Sequence, residues 1–197
     1  MADIAQSSVG NTLGAAKVNQ IVDVANLFTN TGTKLLSSTL LSVDTASFTF
    51  TDIDQTYAQL RLVLYLRSGR VANSDTIDIR FNADSGTNYD HQYIRGVDTT
   101  LSGSIGNGDT SLAYICAAAS SIASFASGYD LLIHQYAGTT FYKMVTGIGT
   151  VASNSTHYMQ SVMGAWNSTS AITDIAITPE TGPNWLTGSY AALYGMQ

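Results

Sequence analysis

Between Tyr57 and Arg67 the chain reads YAQLRLVLYLR, with Leu60, Leu62, Leu64 and Leu66 at every second position. Successive side chains of a strand point to opposite faces, so this phase turns four leucines toward one core. Gln59, Arg61, Val63, Tyr65 and Arg67 fall in the other phase, toward solvent or a partner. A helix would scatter the same leucines around its cylinder. The stretch predicts a long core strand around which the rest of the chain can be arranged.

From Lys34 onward the period is two, and turn residues recur roughly every ten positions. KLLSSTLLS and SFTFT read as a first pair of strands. DTIDIRFN and YDHQYIRGV follow the core strand, separated by the loop NADSGTN. Asp98–Thr110, with three glycines and little apolar content, reads as a long mobile loop. SLAYICA, YDLLIHQY, TFYKMVTGI, THYMQSVMGAW, ITDIAIT and GSYAALYG then read as strands. The two prolines, Pro179 and Pro183, are expected in the loop between the last two strands. About ten or eleven short strands at this spacing predict an all-β fold, an antiparallel β-sandwich. A jelly roll is the first choice of topology and an immunoglobulin-like sandwich the second; periodicity does not separate them.

Residues 1–33 differ in pattern from the sandwich domain expected over residues 34–197. Val18, Ile21, Val22, Ala25 and Phe28 recur at spacings of three and four, one face of a short helix. A helix of that length needs a surface to pack on. It either lies on its own domain or forms an arm that self-associates or inserts into a larger assembly.

Charged residues make up only 11% of the chain, so its polar surface must be built from Ser, Thr, Asn, Gly and Tyr. Such a surface suits packing against copies of the same chain or binding neutral ligands. A net charge of −6 with eight Lys+Arg argues against nucleic acid and against an anionic membrane. Neither a secretory leader nor an apolar run of ~20 residues is visible, so synthesis in a cytoplasm and solubility are expected.

No catalytic or cofactor motif stands out. His91, His134 and His157 lie in three separate predicted strands and read as structural or surface residues. Gly147, Gly149 and Ala152 fit GxGxxA, but a turn and a strand follow where a dinucleotide site needs a helix. Asn82, Asp84 and Gly86 resemble the start of a calcium loop, yet Tyr93 stands where the bidentate glutamate belongs. A tight Asx-rich turn explains those residues better. Cys116, the only cysteine, reads as a buried, inert thiol. Asp52 and Asp54 flank an exposed turn, Asp174 faces outward, and Glu180 is the only glutamate. No acid–base pair emerges, and no cofactor or metal is expected. Eleven Tyr and two Trp leave three readings: sugar-stacking platforms, interface anchors or half-buried strand residues.

The C-terminal stretch carries Gly164-Ala165-Trp166, Ile172, Ile175 and Ile177, then Gly182, Trp185, Gly188-Ser189 and Leu193-Tyr194-Gly195. It resembles the end of a family of bacteriophage virion proteins that includes fibre-like, tail-associated and capsid-decorating components. Upstream, the paired-leucine strand Lys34–Leu41, TDIDQTYAQLRLVLYLRS, FNADSGTNY and YDLLIHQYAGTTFYK are similar in the same order, so the likeness runs from Lys34 to Gly195. It implies a β-sandwich assembling on a phage particle, commonly as a trimer, with other virion proteins as partners and no catalysis. The missing long repetitive shaft points to a compact decoration (cement) protein or short fibre head. The first 33 residues would then dock, with Val18, Ile21, Val22, Ala25 and Phe28 as the anchor. A tail-tip module that binds host-surface carbohydrate is the alternative.

Overall fold

The computed structural model describes residues 32–154 and 156–197. Among the described residues there are twelve strands: β1 (Thr33–Leu40), β2 (Phe48–Phe50), β3 (Gln59–Ser68), β4 (Ser74–Phe81), β5 (Tyr89–Val97), β6 (Thr100–Asp109), β7 (Leu112–Ala118), β8 (Ser127–His134), β9 (Lys143–Ser153), β10 (Thr156–Trp166), β11 (Ile175–Pro179) and β12 (Tyr190–Met196). There is no helix among the described residues. The residues expected to form the arm's apolar face, Val18 to Phe28, lie outside the described part.

The pairing radiates from β3, as its leucine phase requires. Leu60, Leu62, Leu64 and Leu66 are all at most 1% exposed. β3 pairs antiparallel with β12 on one side and β8 on the other. Eight strands run β1-β12-β3-β8-β9-β10-β5-β6, every neighbour antiparallel. A second antiparallel run, β2-β11-β4-β7, joins the first where Arg67 and Ser68 of β3 pair in parallel with Ala117 and Ala118 of β7. The sheet is therefore mixed but mostly antiparallel, and it curls so that the shorter run packs on the longer one. Phe81 of β4 meets Trp166 of β10 with ring centroids 5.7 Å apart, and Tyr114 of β7 stacks on Tyr129 of β8 at 5.9 Å. The Tyr129 hydroxyl donates to the Ile115 carbonyl at 2.6 Å, satisfying a polar group that would be costly to bury alone. One apolar cluster spans both runs.

Three expectations are corrected. Asp98–Thr110 is not a mobile loop: Thr100–Asp109 is strand β6, paired along β5 after a two-residue turn whose Asp98 has φ 53°. An end strand packs few side chains into a core, so its Ser and Gly content does not prevent pairing. The first two strands do not pair with each other. β1 joins β12 at one end of the longer run, and β2 joins β11. Pro179 closes β11 opposite Ile77 rather than standing in the loop, at a level that β2 does not reach. A proline at the end of a strand removes little of the ladder.

Candidate functional site

The polar groups singled out in the sequence are held apart and are mostly committed to the fold. His91 Nδ1 lies 3.4 Å from Asp109 Oδ2, His134 Nε2 lies 2.9 Å from Thr146 Oγ1, and His157 Nδ1 lies 3.7 Å from Asp98 Oδ1. Among the described residues, no three His, Cys, Asp or Glu side chains converge as a metal site would require. The Asp84 carboxylate is saturated by its own turn and a neighbour. It accepts from Gly86 N at 2.8 Å, Asn88 Nδ2 at 2.9 Å and the Trp166 indole at 2.8 Å. Those donors, Trp166 foremost, hold its pKa below the ordinary carboxyl value. Gly147 and Gly149 sit inside β9 and meet no helix. A Cβ at Gly149 would fall within the Tyr129 ring, so glycine is there to seat a cross-strand aromatic. Cys116 is fully buried, and burial pushes its thiol up, away from nucleophilic use.

A cleft of about 340 Å³ opens beside β1 and is lined in part by Lys34, Phe50, Asp52, Asp54 and Tyr57. Asp54 Oδ1 there accepts the Thr56 N–H at 3.0 Å, and its carbonyl accepts the Tyr136 hydroxyl. These groups hold the loop in shape.

Two buried charges escaped the sequence reading. Asp75 accepts from Ser68 Oγ at 2.6 Å and Gly182 N at 2.9 Å, tying β3 and β4 to the loop before β12. Lys143 Nζ donates to the carbonyls of Phe141 at 3.0 Å and Thr169 at 3.3 Å, and desolvation lowers its pKa. Phase was the available signal: Asp75 shares the inward register of Ile77, Ile79 and Phe81, and Lys143 that of Val145.

The aromatics divide by position. Trp166 and Trp185 are buried, the latter donating its indole N–H to the Ile177 carbonyl at 3.0 Å. Neither is a stacking platform. Tyr93 and Tyr158 are half-buried and flank Arg95, whose guanidinium carbon lies 4.8 Å and 5.4 Å from their ring centres.

The outer face of the eight-stranded run is a broad surface. Registers place Tyr194, Arg61, Leu132, Thr146, Met163 and Gln92 in one row across it, from β12 to β5. On β3, β8, β9 and β10 its charged residues are Arg61, Arg67 and Asp130. Arg61 pairs with Asp130 through two bonds, Nε–Oδ1 at 2.7 Å and NH2–Oδ2 at 2.5 Å. Arg67, placed by phase toward solvent or a partner, spends its donors on four carbonyls of the chain, at Ala119, Ser121, Ile122 and Phe125. Asp90, in the phase of Gln92 on β5, accepts from Gly108 N and Asn167 Nδ2, each at 2.8 Å, so these charges are tied up within the chain.

Comparison with protein-family models, with curated proteins and with solved structures returned no match.

Proposed function

We propose that the chain is a non-catalytic structural subunit of a bacteriophage virion, a surface decoration or short fibre protein that assembles with copies of itself. The observation that carries this reading is the broad outer face whose charges are paired or spent internally. Such a face is covered without stripping water from unpaired ions, the main penalty in burying charge. The C-terminal resemblance supplies the particle, and the aromatic residues packed between the two runs support a two-layer sandwich, for which a jelly roll is the proposed topology. Threefold assembly is the expected symmetry, and the first 33 residues are the docking segment for other virion proteins.

Gold-labelled antibody on intact particles tests this reading. Label over the shell makes the chain a decoration protein; label at the tail makes it a fibre or tail protein. Particles that carry no label refute the reading. Host-glycan recognition is the second reading, favoured by Arg95 held between Tyr93 and Tyr158. Aromatic rings beside a fixed donor suit a neutral or acidic sugar. A glycan array with purified protein separates the two, since a pure cement protein gives no hits.

A further inference from the structure

The far half of the outer face, β9-β10-β5-β6, carries Ile148, Met159, Ile94, Leu101 and Ile105, each between 56% and 75% exposed. The registers bring them together. Ser161 stands opposite both Ile148 and Ile94, Met159 pairs with Gly96, and Gly96 with Leu101. They form one strip with no charged side chain among them, although scattered single apolar residues are the usual state of a surface. β6, at the end of the run among the described strands, has neither Lys nor Pro among residues 100–109, the ordinary guards of a sheet edge. Beside the strip lies a recess of about 430 Å³ lined by Arg61, Asp130, Leu132, Thr146 and Ile148.

We propose that this strip is the contact surface between copies of the chain. The inference rests on the reading of the protein as a self-assembling subunit and supplies the surface for it. Four strands about 4.8 Å apart and about ten residues long cover roughly 600 Å², and the whole eight-strand face roughly 1,100 Å². A stable interface needs about 800 Å² per partner, so the eight-strand face is large enough, and its four-strand half, which carries the strip, lies at the low end. Another copy meets no like charge on the strip. The strip and the recess lie side by side on one face and share Ile148, so one contiguous surface serves the contact.

The test is the solution mass of the full chain and of Met159→Lys and Ile94→Lys, by analytical ultracentrifugation, with Val71→Lys as the exposed control away from these strands. Expected is an oligomeric parent, an unchanged control, and strip variants whose dissociation constant rises at least about thirtyfold. Unaltered circular dichroism shows that the variants still fold. An oligomeric parent with oligomeric strip variants overturns the surface but leaves the subunit reading standing. A parent monomeric at about 100 µM overturns both. A monomeric parent whose melting temperature falls in the strip variants assigns the strip to a segment of its own chain, which also overturns the proposal.

Discussion

At the scale of single residues, packing and hydrogen bonding explain groups that motif reading treats as candidate chemistry. Gly149 lies against the Tyr129 ring, which is itself fixed by Tyr114 and the Ile115 carbonyl. Gly149→Ala is expected to destabilise by about 1–3 kcal/mol, the usual cost of forcing an extra carbon into a filled space, read from denaturant melts. Asp84 illustrates the electrostatic side. Its folded pKa lies below the ordinary value of 3.8, so its contribution is fully present above that value and drains away as pH falls through the folded one. Thermal melts from about pH 6 to about pH 2 should show Asp84→Asn less stable at the top of the range, with a shallower acid decline than the parent. An identical acid slope in both proteins would remove Asp84 from the account. The Asx-type turn was legible from Asn, Asp and Gly spacing. The indole of Trp166, far along the chain, was not.

At the scale of elements, local alternation identified strands well wherever a strand had a buried face. β3, β4 and β8 each show strict alternation in burial; the two-residue period is visible in residue type on β3 and β4, while β8 carries Leu131, Leu132 and Ile133 in succession. β6 was missed because an end strand exposes most of both faces and is under little pressure to alternate. Its pairing with β5 predicts that alternate amides between Thr100 and Asp109 exchange slowly with solvent, those bonded to β5 being protected. Uniformly fast exchange there would restore the mobile-loop reading. The exposed apolar strip was missed for a related reason. Met159 and Met163 lie in the phase opposite Val162, so β10 is apolar on both sides, and alternation cannot say which side is covered by the same chain.

At the scale of the whole molecule, both runs share one apolar cluster, with β3 at their junction. Leu62→Ala should therefore cost about 2–5 kcal/mol and leave a single cooperative transition in chemical denaturation. A split transition would mean that the two runs melt separately. The sequence by itself determined the all-β class, the inward phase of the core strand and the scarcity of charge, because these depend on residue type and spacing of two. The tertiary structure alone decided that β1 pairs with the last strand, that β7 meets β3 in parallel, and that apolar residues from four strands form one exposed strip. Each of those facts joins positions far apart in the chain, and strand periodicity repeats without naming its partner.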